Sequence, residues 1–168
     1  MKYVVLWTLI AAFVFSVFDA AVLSHIEALI VRPDIILLLV VYSAASNGSV
    51  VGVTAGFFAG MFFDFLSLAP LGLHAFIFTC AGFLYGLAHK KYNIRPLFFP
   101  CVFAGSASVL KALLIFLLRF LFGEIIHVYS MVSFLFWLEV VLNMLCAPFI
   151  FWLLRLFPHA FEIGAYTE

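Results

Sequence analysis

The chain has 168 residues, of which 68% are hydrophobic and 10% charged, and its eight Lys and Arg side chains balance eight Asp and Glu. A composition this apolar lies outside the range of soluble domains and indicates an integral membrane protein. Because the Lys and Arg residues form no basic stretch, nucleic-acid binding is excluded.

Four apolar runs are long enough to cross a bilayer on their own. A hydrocarbon core of about 30 Å requires about 20 helical residues, and the runs that meet this length are 3–24, 70–89, 97–122 and 130–154. The first run follows a single early Lys and exceeds the apolar core of a signal peptide, so we expect it to be a retained span.

The run 34–66 is too long for one straight helix. A break at Ser46-Asn47-Gly48 divides it, but the piece before the break, 34–46, has only about thirteen residues, which is short of a full crossing. Such a helix is tolerated as a thin, tilted span or as a re-entrant segment when protein surrounds it. We therefore predict an all-α bundle of six transmembrane helices. The connections are short, so 1–168 is predicted to be a single integral membrane domain.

The distribution of Lys and Arg predicts the orientation of this bundle. With six crossings, the side of the N-terminus receives Lys2, Lys90, Lys91, Arg95 and Arg155. The opposite side receives only Arg32 and Arg119. Because cytoplasmic connections carry the excess of Lys and Arg, both termini are predicted to be cytoplasmic. If 34–46 does not cross, the two ends lie on opposite faces of the membrane.

Glycine recurs at every fourth position in one predicted helix, at Gly48, Gly52, Gly56 and Gly60. In lipid, helices associate through close packing, and small residues permit the closest approach of two backbones. We interpret these four glycines as a helix-packing seam. The sequence leaves open whether the seam meets a helix of its own bundle or a partner protein.

Three polar residues lie inside the last two predicted spans: Lys111, Glu139 and Asn143. Charges within a span are read as functional or paired. In an antiparallel hairpin Lys111 and Glu139 have similar depths, and Asn143 follows one helical turn after Glu139. We favour a structural tie between the two helices over a proton or substrate relay, which would need more ionisable groups.

Other polar residues give weaker signals. Asp64 and Asp19 fall near the outer ends of their helices, and for Asp64 we predict an ion pair with Arg119 or Arg32. The spacing of His25, His74 and His127 and of the three cysteines does not fit a metal site, so no metal and no cofactor are expected.

No catalytic arrangement is apparent in the sequence. There is no Ser–His–Asp set at a nucleophile turn, no pair of carboxylates near a basic pocket, and no glycine-rich phosphate loop after a strand. We therefore predict that the protein is not an enzyme.

The stretch "RPDIILLLVVYSAASNGSVVGVTAGFFAGMFFDFLSLAPLGLHAFIFTCAGFLYGL" resembles the MreD family of bacterial rod shape-determining proteins. In that family a Pro-Asp/Asn pair opens a short apolar helix, a glycine-rich helix ends in Gly-x-x-x-Asp, and a Leu-Gly-Leu turn leads into the next span. The first two features correspond to Pro33-Asp34 and to the glycine series that ends at Asp64. The turn corresponds to Leu71-Gly72-Leu73.

The resemblance implies a non-enzymatic component of the cell-elongation machinery in the bacterial inner membrane. It implies association with the bitopic protein MreC, and through it with the MreB filament and the cell-wall glycosyltransferase and transpeptidase. It also implies a six-helix bundle similar to the substrate-binding subunits of energy-coupling-factor transporters. A monomer and a homodimer both remain open.

A second hypothesis is a substrate-binding subunit of a vitamin transporter. In that case the stripe Ala12-x-x-x-Ser16-x-x-x-Ala20 would dock an energising partner. The predicted helices two to four offer few side-chain donors for a ligand, so we favour the scaffold hypothesis.

Overall fold

The computed structural model describes residues 2–21, 31–67, 70–89, 98–122 and 133–161. Every regular element in these ranges is an α-helix. The helices in chain order are α1 Lys2–Ala21, α2 Ile35–Asn47, α3 Ser49–Leu66, α4 Leu73–Gly86, α5 Phe98–Phe122, α6 Phe134–Arg155 and α7 Pro158–Phe161. The prediction of an all-α membrane bundle is confirmed. Only the one-turn helix α7 was not anticipated from the sequence.

The short helix α2 lies at the centre of the bundle. All its residues from 36 to 45 are buried, and it contacts α1, α3, α4, α5 and α6. Because protein surrounds it on every side, its 13 residues do not have to match the thickness of the bilayer. Its length is therefore compatible with the membrane.

The break between α2 and α3 occurs at Gly48, within the predicted tripeptide. Gly48 has a φ of 95°, a left-handed conformation that favours glycine. Its N–H donates to the carbonyl of Ala44 and closes the last turn of α2. At the same end, the side-chain amide of Asn47 donates to the carbonyl of Phe161, 2.7 Å away, which fastens α2 to α7.

Three of the described helices are long and apolar enough to cross a membrane: α3, α5 and α6. The described part of α1 and the helices α2 and α4 are apolar but shorter. The bundle is thus that of a polytopic membrane protein, whereas the count of six crossings and the cytoplasmic placement of both termini stay predictions.

The small-residue face of α1 is turned into the bundle. Thr8, Ala12 and Ser16 are fully buried, and the hydroxyls of Thr8 and Ser16 donate to backbone carbonyls four residues earlier. Thr8 Oγ1 also lies 3.2 Å from Ser43 Oγ of α2. For Ala12 and Ser16 the interpretation as an external docking surface is therefore wrong. The side chain of Ala20 lies outside the described part.

Large apolar side chains cover the outer faces of α1, α5 and α6. Phe120 and Phe134 are 82% and 78% exposed. The other members include Trp7, Phe13, Phe116, Trp137, Phe149 and Trp152. An outer surface of this composition is suited to lipid, because hydrocarbon solvates Phe, Leu and Trp side chains without penalty.

Candidate functional site

The glycine seam of α3 packs against α4. A Cβ atom on Gly52 would collide with the carbonyl of Gly82, and one on Gly56 with the carbonyl of Phe78. A Cβ on Gly60 would collide with the backbone of Ala75. Backbone therefore touches backbone along the whole interface, which only glycine permits. The seam faces a helix of its own bundle.

The opposing helix contributes glycines of its own. A Cβ on Gly82 would collide with the backbone of Gly52, and one on Gly86 with that of Ser49. The two small-residue stripes thus interlock in an antiparallel helix pair.

Gly48 needs correction as a packing position. A Cβ there would meet only the ring of His89, at 3.6 Å, which is an ordinary contact. Glycine is required at this position by the positive φ of the helix break and not by a close approach at its own Cα.

Asp64 caps the first turn of α4 from the neighbouring helix. Its Oδ2 accepts hydrogen bonds from the N–H groups of Gly72 and Ala75, at 3.0 and 3.1 Å, and its Oδ1 accepts from the N–H of His74 at 3.0 Å. These are N–H groups that the start of a helix leaves without intrahelical partners. A carboxylate at this end is also stabilised by the helix dipole.

The predicted ion pair of Asp64 with Arg119 or Arg32 is wrong. Asp64 is 1% exposed and its carboxylate is fully occupied by the start of α4 and by His74. The hypothesis failed because it treated the carboxylate as an interfacial charge seeking a cation, whereas backbone N–H groups within reach satisfy it. Asp19 was placed beside it by sequence, but its side chain lies outside the described part.

The Leu-Gly-Leu turn makes this cap possible. Gly72 has a φ of 93° and nothing within 4 Å of a Cβ built on it, so the backbone conformation is the reason for glycine. Leu71 is exposed, whereas Leu73 packs against the core. The turn returns the chain so that the first N–H groups of α4 point at Asp64. The glycine series, Asp64 and the turn therefore act together to hold α3 and α4 in one helical hairpin.

His74 is a member of this site that the sequence analysis did not identify. Its Nδ1 lies 2.8 Å from Asp64 Oδ1, and the rings of Phe63 and Phe78 pack against the imidazole with centroids 4.6 and 5.8 Å away. The available signal was its position directly after the Leu-Gly-Leu turn, in the first turn of a helix and ten residues after Asp64.

Asp34 caps α2 and also pairs with a charge on another helix. Its Oδ1 accepts from the N–H of Leu37 at 3.0 Å, as expected for an aspartate that opens a helix. Its Oδ2 lies 2.7 Å from Lys111 Nζ of α5. Pro33 precedes it, outside the first turn of α2. The family resemblance anticipated that Pro33-Asp34 opens this helix, but the sequence analysis predicted neither the side-chain cap nor the ion pair.

Lys111, Glu139 and Asn143 lie together in the same polar network. Lys111 Nζ is 3.1 Å from Glu139 Oε1, so the ammonium is shared by Asp34 and Glu139. Asn143 Oδ1 accepts from the backbone N–H of Asp34 at 2.8 Å, and its amide donates to Ser108 Oγ at 2.9 Å. These contacts join the start of α2 to the middles of α5 and α6.

The Asp64–His74 pair and the polar network around Lys111 lie close enough to interact electrostatically. His74 interacts electrostatically with Asp34 and Lys111 as well as with Asp64. The combined cluster has three carboxylates, one ammonium and one imidazole. Among the described residues no group of His, Cys, Asp and Glu has the arrangement of a metal site. The arrangement ties the helices together.

Comparison with protein families identifies the family of the chain. The family model described as rod shape-determining protein MreD matches residues 1–157. Searches of curated proteins and of solved structures found no match, so the likeness to transporter subunits stays a prediction. The family match includes α1 to α6 and both capping aspartates. The chain therefore belongs to the MreD family of rod shape-determining proteins.

Proposed function

We propose that this protein is a non-enzymatic scaffold of the rod-shape machinery in the bacterial inner membrane. The observation that carries the proposal is the family match over residues 1–157. In this role the chain binds an MreC-like bitopic protein, and through it connects the MreB filament with the cell-wall glycosyltransferase and transpeptidase. The chain acts as one membrane domain over 1–168, with both termini in the cytoplasm.

The contacts that the polar side chains make support a scaffold function. The carboxylates of Asp34 and Asp64 cap helices, and Lys111, Glu139 and Asn143 bond across helices. A bundle held together in this way presents a fixed outer surface to a partner. We place the contact with the partner helix on the outer apolar faces, because α4 already occupies the glycine seam.

The first experiment tests the partner and the phenotype. We expect the tagged chain to co-purify with the MreC-like protein in mild detergent, and depletion to convert rods into round cells that the wild-type gene rescues. The control is Gly56→Leu, which disrupts α3–α4 packing and should lose both co-purification and rescue. Retention of a vitamin-sized ligand together with capture of an ATPase module would overturn the scaffold proposal in favour of a transporter subunit.

The second experiment tests the topology. Single cysteines at Pro70, Asn93 and Glu124 in a cysteine-free background are labelled from either side of the membrane. With six crossings and a cytoplasmic N-terminus, Pro70 and Glu124 react from outside and Asn93 from inside. The opposite pattern would reject the proposed topology, because it requires either an outside N-terminus or a segment 34–46 that does not cross. Reaction of all three positions from one side would reject the six crossings.

A further inference from the structure

The Asp64–His74 pair lies beside the Asp34–Lys111–Glu139 pairs inside the bundle. We propose that this cluster is a proton-binding site, in which His74 Nε2 takes up one proton between about pH 8 and pH 5. The proposal does not depend on the scaffold function, because it rests on the geometry of the cluster alone.

The first step is the tautomer of His74. Asp64 accepts three backbone N–H groups, and an ionised carboxylate can only accept hydrogen bonds. His74 Nδ1, at 2.8 Å from Asp64 Oδ1, must therefore be the donor. The neutral ring then carries its lone pair on Nε2, so Nε2 is the atom that takes up a proton.

The second step is the access of a proton to Nε2. No residue in the described part of the chain hydrogen-bonds to this atom, whereas every fully buried polar side-chain atom there has a partner. Since Nε2 has no partner there, it cannot be one of the fully buried atoms and must lie at the accessible surface. This agrees with a His74 side chain that is 14% exposed. A proton can reach it without the Asp64–His74 hydrogen bond being broken.

The third step is the charge of the cluster. Three carboxylates and one ammonium leave two negative charges in excess while His74 is neutral. Unbalanced charge is costly in a surrounding of low polarity. A proton on His74 halves the excess.

The groups that face His74 act in both directions. Two carboxylates, those of Asp64 of α3 and Asp34 before α2, carry negative charge near the ring, and Lys111 of α5 carries positive charge.

The test is a ¹⁵N NMR titration of the full chain in lipid nanodiscs with labelled histidine, in which His74→Gln assigns the signal. We expect the His74 Nε2 signal to move from the unprotonated to the protonated position between pH 8 and pH 5, while Nδ1 keeps its proton. A signal that stays unprotonated, or stays protonated, over this range overturns the proposal. Titration of Nδ1 instead of Nε2 also overturns it.

His89 provides the matched control. Its Nδ1 lies 3.0 Å from the carbonyl of Ala45, so its ring is held by an uncharged acceptor. In Asp64→Asn, we expect the His74 midpoint to move down by about one pH unit, a tenfold weaker proton affinity, while the His89 signal is unchanged. An unchanged His74 midpoint in the folded variant overturns the role of Asp64. If the variant does not fold, the wild-type titration alone decides the proposal.

Discussion

Replacing Gly56 by Ala adds one methyl group at the closest approach of α3 and α4. The new Cβ would lie 2.7 Å from the carbonyl carbon of Phe78 and closer still to its oxygen, whereas ordinary contact begins at 3.4 Å. The helices must therefore separate locally by about 0.7 Å or more. Because the obstacle is backbone, no side-chain rotation can relieve the overlap.

The expected cost follows from two opposing contributions. Overpacking of this kind costs about 1–3 kcal/mol, while Ala gains about 1 kcal/mol over Gly in helix propensity. We expect Gly56→Ala to lower the free energy of unfolding by up to about 2 kcal/mol. Gly105→Ala has the same propensity gain, but its Cβ meets only the side chain of Met144, at 3.0 to 3.6 Å. Since a thioether chain adapts readily, this control is expected to be neutral or slightly stabilised.

The measurement is reversible unfolding of both variants in mixed micelles, with the wild type alongside. Comparison of the two alanine variants cancels the propensity contribution and isolates the packing cost. Equal stability of Gly56→Ala and Gly105→Ala would refute the reasoning, because it would mean that the glycine seam tolerates a methyl group as well as a site facing a flexible side chain.

The remaining predictions concern the polar contacts. Lys111→Ala is expected to lower the stability of the protein more than Glu139→Ala, because Lys111 also pairs with Asp34. A double-mutant cycle of Lys111 with Glu139 should give a coupling energy of about 1–3 kcal/mol, and strict additivity of the two changes would contradict the contact. Asp64→Asn is expected to lower stability by about 2–3 kcal/mol, since a charged acceptor of backbone N–H groups is lost, and unchanged thermal unfolding would contradict the cap. The Tyr85 hydroxyl donates to Ser106 Oγ at 2.7 Å at an exposed site. We therefore expect Tyr85→Phe to lower stability in thermal unfolding by less than about 1 kcal/mol, and a larger loss would contradict the exposed character of this hydrogen bond.

The sequence by itself determined the features that depend on composition and on local backbone chemistry. An apolar composition requires a membrane, and the break at Gly48 and the start of a helix after Pro33-Asp34 follow from the conformations that these residues favour. The depths of Lys111 and Glu139 follow from the rise per residue of a helix. Each of these inferences needs only residues close in the chain, or a length measured along one axis.

The tertiary structure alone decided which helix faces which. Helical periodicity shows that glycines share a face, but the order of helices and their rotation about their axes determine that α4 meets that face. For the same reason the sequence assigned Asp64 to an arginine, while the fold supplies the N–H groups of α4. The contact of Asp34 with Lys111, 77 residues apart, likewise exists because α2 begins beside the middle of α5, which no local pattern encodes.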